Sequence, residues 1–346
     1  MLATRAWHGL ARVALAMVVC GVSPAAAQEL SIYFFDVGQG DAALVRSPEG
    51  KTVLIDAGPD EWTVAQHLKR LHIDTLDLVV ASHNHADHIR GLPLILSTIP
   101  VRFYMDNGVP ATTRIYQRVL EVVQERQIRY LEATPRSVQL GTATVQVLPR
   151  PPNVQSQNNS SVGLLLTFHG VTILFTGDAE YLERDYWRDH AHLPDITILK
   201  VAHHGSINGT DEPFLAALRP RFAVISDGAQ NRYGHPSPET LRVLAGAGIQ
   251  VYRTDELGTI EAAVTTNGTV TFHTERPNPG VRIRASEEQQ LPESNVPEAS
   301  VTRIRITDTS PEGATAQCRD GTFSFSRHRR GTCSHHNGVA RWLDSK

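Results

Sequence analysis

The sequence predicts an α/β protein in which two β-sheets pack face to face with helices on the outside. Two observations carry that expectation. Short β-rich runs fall into two groups, one before residue 82 and one after residue 141, and helical segments follow each group. A sheet must bury its apolar face against another element, so such clusters suggest layers, sheet against sheet and helices outside.

The elements follow in order. Leu30–Asp36, Ala42–Arg46 and Thr52–Asp56 are β-rich and separated by glycine-containing turns. Trp62–Leu71 has helical spacing, and Leu76–Ala81 is an apolar run of strand length. Thr113–Gln127 places Ile115, Val119, Val122 and Val123 on one helical face. Thr142–Leu148, Val162–Phe168 and Val171–Phe175 are expected strands, the last two joined at His169-Gly170. Strand Ile196–Val201, helix Pro213–Leu218, strand Phe222–Ile225 and helix Pro238–Ala247 come next. Val251–Arg253, Thr259–Val264 and Val270–His273 close a domain expected over residues 28–275.

The flanks differ in character. Arg5 and Arg12 precede the apolar segment Val13–Val22, and Ala25-Ala26-Ala27 follows. This pattern reads as a secretory signal peptide over residues 1–27. Its apolar core is short for a membrane anchor, and Val18-Val19-Cys20 lacks the small residues of a lipoprotein site. The mature chain is therefore expected to be exported, periplasmic or extracellular, without a membrane span; nothing in it points to a protein partner. Residues 276–311 are rich in Pro, Glu, Ser, Gln and Arg and read as a linker, in which Val301–Ile306 alternates like a short strand. Residues 312–346 form a small terminal piece with Cys318 and Cys333, the two cysteines that remain after leader removal. In an exported chain they suggest one disulfide; two buried thiols, or a metal site with His335 and His336, are the alternatives.

Composition sets bounds. The chain has 346 residues, 41% hydrophobic and 20% charged, a balance that supports a real core. The formal charge of −3 becomes −5 when Arg5 and Arg12 leave with the leader. The absence of a broad basic footprint argues against tight nonspecific nucleic-acid binding.

The chemistry concentrates at His83-Asn84-His85-Ala86-Asp87-His88, directly after an apolar run. Imidazole and carboxylate are the ligands of zinc, manganese and iron in open hydrolytic sites. His83 and His85 are two positions apart, so extended backbone points both the same way, toward one cation. Asp87 and His88 follow as the chain turns toward a helix expected near Ile89 and can serve a second cation. Two further candidates lie at strand ends. Asp178 ends Leu174-Phe175-Thr176-Gly177-Asp178, and His203-His204 ends Ile198-Leu199-Lys200-Val201-Ala202.

These motifs carry a resemblance. Phe35-Asp36-Val37-Gly38-Gln39-Gly40-Asp41, Leu54-Ile55-Asp56-Ala57-Gly58, the His83–His88 motif, Thr176-Gly177-Asp178 and His203-His204-Gly205-Ser206 occur in the order found in the metallo-β-lactamase superfamily. Asn158-Asn159-Ser160-Ser161 and Tyr233-Gly234-His235-Pro236 make the chain similar to the hydrolase domain of the ComEC/Rec2 competence proteins. The resemblance covers about residues 29–273 and implies an αββα sandwich with its metal site at the sheet edges. It implies that His83 and His85 bind the first metal, that Asp87 and His88 bind the second, and that Asp178 bridges them. His204 is favoured over His203 as the last ligand, with His203 nearer the substrate. Asp56 would brace the ligand loop from behind. Many superfamily members place a third histidine before the bridging aspartate; here that region holds Asn158-Asn159, so Asn159 is expected to offer a weaker oxygen. Arg90 stands where a small residue is usual, either as plain surface or facing an anionic substrate. The terminal piece, about Gly313–Leu343, resembles a small domain of unknown function found in exported bacterial proteins.

The functional expectation is an exported hydrolase using two divalent cations, zinc by default and manganese as rival. Two such ions lower the pKa of a shared water toward neutrality, while Asp87, His203 and His235 are the expected catalytic side chains. His203 or His235 would protonate the leaving group; for His235 a turn-stabilising role is the alternative. The expected substrate is a phosphodiester, DNA among the options, because the comparable competence domain is thought to degrade one DNA strand. The alternatives are ester, lactone or β-lactam hydrolysis, of which β-lactam fits least without the third histidine, and a non-catalytic binding protein.

Overall fold

A computed structural model describes residues 29–277, together with the backbone of residues 316–318, 323–324 and 339–342. The expected leader, the linker beyond residue 277, the Val301–Ile306 strand and the Cys318–Cys333 pairing lie outside the described residues and side chains.

The first sheet contains β1 (Glu29–Phe34), β2 (Ala43–Arg46), β3 (Thr52–Ile55), β4 (Leu76–Val80), β5 (Val101–Asp106) and β6 (Arg129–Glu132). The second contains β7 (Arg136–Leu140), β8 (Ala143–Val147), β9 (Leu164–Phe168), β10 (Val171–Phe175), β11 (Ile198–Lys200), β12 (Phe222–Ile225) and β13 (Gln250–Arg253). Two last strands, β14 (Ile260–Thr265) and β15 (Val270–Thr274), return to the first sheet, giving the order β15-β14-β1-β2-β3-β4-β5-β6. The second sheet has the order β13-β12-β11-β10-β9-β8-β7. Each sheet is antiparallel on one side and parallel on the other: β3 through β6 run parallel, as do β10 through β13.

Strand alternation creates the layers. Leu30, Ile32 and Phe34 of β1 point to a core shared with Leu164, Leu166, Ile173 and Phe175 of the second sheet. Phe34 and Phe175 stack across that interface at 6.0 Å. Tyr33 and Phe35 point the opposite way, into a second core. That core is covered by α1 (Thr63–Arg70), α2 (Ala86–Ile89), α3 (Leu92–Thr98) and α4 (Arg114–Glu125). The outer face of the second sheet packs under α5 (Tyr181–His190), α6 (Glu212–Leu218) and α7 (Pro238–Gly246) through Trp187, Phe214, Leu218 and Leu244. Each large side chain so buried stabilises the fold by about 1.5–3 kcal/mol. The expected αββα sandwich is therefore the observed one.

The helix starts follow local chemistry. The side chains of Thr113, Asp211 and Ser237 accept N–H groups from the first turns of α4, α6 and α7. One boundary differs from expectation. α2 begins at Ala86 rather than near Ile89, because His85 is extended (φ −78°, ψ 150°) and the helix starts at once after it. Asp87 and His88 thus sit inside a helical turn. The unpredicted α5 carries charge on most of its surface and fully buries only Trp187, Glu183 and Arg184. The unpredicted β6 and β7 are short, charged edge strands; α3 and β5 were also unpredicted.

The C-terminal unit has its own three-stranded antiparallel sheet, β16 (Ala316–Cys318), β17 (Phe323–Ser324) and β18 (Val339–Trp342), in the order β17-β16-β18. Among the described residues, no helix is long and apolar enough to cross a membrane.

Candidate metal centre

The donors expected from sequence follow the carboxyl ends of strands, where open parallel sheets place ligands. β3 leads to Asp56, β4 to His83 through His88, β10 to Asp178, and β11 to His203 and His204. Backbone bonds join these loops. Asp41 N donates to Asp87 O at 3.2 Å, Ala57 N to His88 O at 2.6 Å, and Gly58 N to Asp41 O at 2.9 Å. A Cβ on Gly40 would stand 2.3 Å from Asp87 O, so only glycine permits this approach.

Asp178 is the centre of the arrangement. Its Oδ1 lies 3.3 Å from His88 Nε2 and 3.5 Å from His204 Nε2. His204 Nε2 is also 3.6 Å from Asp87 Oδ2. Its other oxygen, Oδ2, lies 3.6 Å from His83 Nε2, which in turn is 2.9 Å from His85 Nδ1. One carboxylate therefore faces two donor groups, His83-His85-Asp178 on one side and Asp41-His88-Asp178-His204 on the other. The Asp41-His88-Asp178-His204 group fits a divalent cation by a direct observation: His88 Nε2, Asp178 Oδ1 and His204 Nε2 are buried, convergent and without hydrogen-bond partners. Buried polar atoms are rarely left so, and zinc or manganese accepts this donor mixture.

The far sides of two imidazoles, His88 and His204, are held. His88 Nδ1 pairs with Asp56 Oδ2 at 2.8 Å, and Asp56 also accepts Ser82 N and Ser82 Oγ, each at 2.7 Å. His204 Nδ1 donates to Ser226 O at 3.0 Å. Such partners select the tautomer that leaves Nε2 open to a cation. His203 and His204 both adopt the left-handed region, at φ 50° and 53°. Strain of about 1–3 kcal/mol per residue persists only where surroundings impose it; here His203 N donates to Gly177 O.

Burial is the largest influence on each titrating group, and charge decides where it does not win. Burial followed by the charge of His88 drives His83 well below its usual range. For His88, the carboxylates of Asp178 and Asp56 outweigh burial and raise it well above. Burial would raise Asp178, yet His88, His204 and His83 hold it well below. His204 is raised against burial by Asp178, Asp87 and Asp41. Asp87 is lowered against burial by its hydrogen bond from His204 and the charge of His88. Cations and protons compete for the ring nitrogens of His88 and His204.

Asp41 is a group that sequence reasoning did not place. It closes the Asp36–Asp41 motif, and the fold brings it into the His88-Asp178-His204 group. Its carboxylate also pairs with Lys200 Nζ at 2.7 Å, both residues being buried.

The expectation for Asn159 needs correction. Its Nδ2 donates to Glu180 Oε2 at 2.9 Å, and its Oδ1 accepts Glu183 N at 3.3 Å. The amide serves a neighbouring carboxylate rather than the histidine pair. Asn158 and Asn208 donate to Glu180 Oε1, each at 3.0 Å. Three amides thus fix Glu180, which stands 3.6 Å from His203 Nδ1. His203 Nε2 is 3.7 Å from Asp178 Oδ2, with the ring partly exposed. The physical reason is that a carboxylate attracts N–H donors, and the partly buried Glu180 accepts from all three amides.

His235 lies beside this group, its ring 5.7 Å from that of His203 and 6.4 Å from that of His204. Burial, then the charges of His204 and His203, lower its pKa. The structure therefore gathers His83, His85, Asp87, His88, Asp178, His203, His204 and His235 in one place, and turns Asn159 elsewhere.

Comparisons with known proteins bear on the family of the chain. Residues 51–214 match the Beta-lactamase superfamily domain, and residues 311–343 match a domain of unknown function, DUF3761. The chain is 32% identical over 270 residues to ComE operon protein 3 of Bacillus subtilis, covering 71% of this chain and 34% of that protein. It is 25% identical over 244 residues to Competence protein ComA of Neisseria gonorrhoeae, covering 67% and 32% respectively. Recombination protein 2 of Haemophilus influenzae is 30% identical over 210 residues, covering 58% and 24%. The chain thus spans about a third or less of the length of these relatives.

Proposed function

The chain carries a metallo-β-lactamase superfamily domain resembling the hydrolase part of the ComEC/Rec2 competence proteins, and from that premise we propose that it is an exported metal-dependent phosphodiesterase acting on nucleic acid. The observation that carries the reading is the Asp178 carboxylate, with one oxygen toward His83 and the other toward His88 and His204. A pair of divalent cations held by these groups supplies Lewis acidity and lowers the pKa of water.

The rest belongs to the chain. Asp56 and Ser226 hold His88 and His204 in register. His85 and Asp87 keep the donor set open to solvent and substrate; His85 is exposed. His203 stands between Asp178 and Glu180, its ring partly exposed, in position to give a proton to a departing oxygen. His235, its pKa lowered by burial and by the charges of His204 and His203, stands beside the His203 ring. Among the described residues, the His83-His85 group includes no third imidazole. That supports a substrate that brings its own oxygens, as a phosphodiester does.

The test is turnover by protein loaded with zinc or manganese, offered bis(p-nitrophenyl) phosphate, single-stranded DNA, esters, lactones and a β-lactam. Cleavage of the phosphodiesters, lost on His85→Ala with unchanged circular dichroism, is expected. Hydrolysis confined to the carbonyl substrates would sink the reading. Export rests on residues 1–27, and mass analysis of protein recovered outside the cytoplasm should find Gln28 as the first residue.

A further inference from the structure

A cleft of about 460 Å³ opens directly beside Asp87, and its walls include Gln39, Arg90, Asn231, Arg232 and Tyr233. Its size falls within the range of about 300–1,000 Å³ typical of ligand sites. Its only carboxylate is Asp87, which belongs to the metal set. Among the described residues, neither Arg90 nor Arg232 meets a carboxylate. Tyr233 is 54% exposed, a large apolar surface to leave in water.

The loop that presents Tyr233 is built rigidly. Asn231 Oδ1 accepts Tyr233 N at 3.0 Å and His235 N at 3.1 Å, while its Nδ2 donates to Asp227 and to His235 O. Gly228 lets the loop press on the Asp36–Asp41 turn, since a Cβ there would stand 2.5 Å from Gln39 N. The rings of His204, His235 and Tyr233 are nearly parallel in sequence, tilted by 23° and 24° with centroids 6.4 and 5.8 Å apart. A ladder of flat groups therefore runs from a metal ligand outward to an exposed aromatic. The Arg232 guanidinium lies 5.0 Å over the Tyr233 ring and donates to its hydroxyl at 2.9 Å.

An exposed aromatic face and a guanidinium plane are the surfaces on which unpaired bases stack, and arginines beside them that meet no carboxylate suit phosphates. We propose that this cleft is a nucleotide subsite for a single strand of nucleic acid, in which Tyr233 and Arg232 carry a base next to the scissile phosphate and Arg90 and Arg232 hold flanking phosphates. The subsite rests on the phosphodiesterase reading and extends it: the substrate is a strand longer than one nucleotide. A base inside a duplex is excluded, because its neighbours in the stack already cover both of its faces.

The experiment is fluorescence anisotropy of the mature protein in EDTA, which prevents turnover, with labelled dT and rU oligomers and an abasic oligomer of equal length. Tyr233→Ala should weaken binding of base-bearing oligomers about tenfold and leave the abasic oligomer within about twofold, while Tyr233→Phe restores the difference. Arg90→Ala with Arg232→Ala should weaken all oligomers and reduce the salt slope by about 1.4. The dT and rU arms decide between DNA and RNA. Equal losses on base-bearing and abasic oligomers, or an unchanged salt slope, overturn the subsite. Hydrolysis of bis(p-nitrophenyl) phosphate by the metal-loaded protein separates the two claims. Turnover of that diester with either overturning result removes the subsite alone; no turnover of any phosphodiester removes both.

Discussion

The Nδ1 of His88 and the Oδ2 of Asp56 lie 2.8 Å apart, sealed from solvent behind the candidate metal centre. Ser82 binds the same carboxylate through its backbone N–H and its hydroxyl. One aspartate therefore sets the orientation of a ligand and the exit of the strand that delivers it. Asp56→Ala should lower metal affinity about 10–100-fold, read by competition with a chromophoric chelator. Unchanged affinity in a folded variant would remove Asp56 from any role at the centre.

Cation binding should stabilise the fold, because these donors converge only in the native state. Zinc or manganese at about 100 times its dissociation constant should add about 2.7 kcal/mol. Calorimetry should register this as a rise in Tm that EDTA reverses. Asp178→Ala removes the carboxylate both groups share and should abolish most of the increment; a full metal-induced rise in that variant would contradict a shared ligand.

His203 should matter most where the leaving group needs a proton. His203→Ala is expected to slow diesters with alkoxide leaving groups by about 10²–10⁴ and to affect p-nitrophenolate departure much less. Equal losses on both substrates would assign His203 to the fold of the loop instead. Glu180→Gln should reproduce part of the leaving-group effect, since Glu180 lies 3.6 Å from His203 Nδ1.

Asp227 gives the fold a pH dependence of its own. Burial raises its carboxyl from 3.8 to about 7, against the hydrogen bond from Gly228 N and with help from the charge of Asp255. The folded state then keeps this proton up to about pH 7, while the unfolded chain releases it near 3.9. Its contribution to stability is full below about pH 4 and declines as pH rises toward 7. Asp227→Asn should gain Tm relative to wild type across that window. A difference in Tm independent of pH would show that Asp227 is not protonated in the fold.

Much of the site was legible because it is local. His83 through His88 fall in six consecutive residues, and the strand before them reads as an apolar run. Asp178 and His203-His204 could be placed because each follows such a run at its carboxyl end. Asn159 was misjudged for a reason sequence does not contain: Glu180, Asn158 and Asn208 meet only after β10, α5 and the loop beyond β11 come together. Asp41 was legible as the end of a motif but not as a neighbour of His204, 163 positions away.

By itself, the sequence determined the layered fold class, many of the strands and helices and the donor chemistry, because strand periodicity and residue type are local properties. Tertiary structure alone decided which donors share a cation, which amide turns away, and that Arg90 and Arg232 flank one cleft with Tyr233. Those outcomes depend on packing two sheets whose loops are distant in the chain, where burial and nearest-neighbour charge, rather than spacing, assign each polar atom its partner.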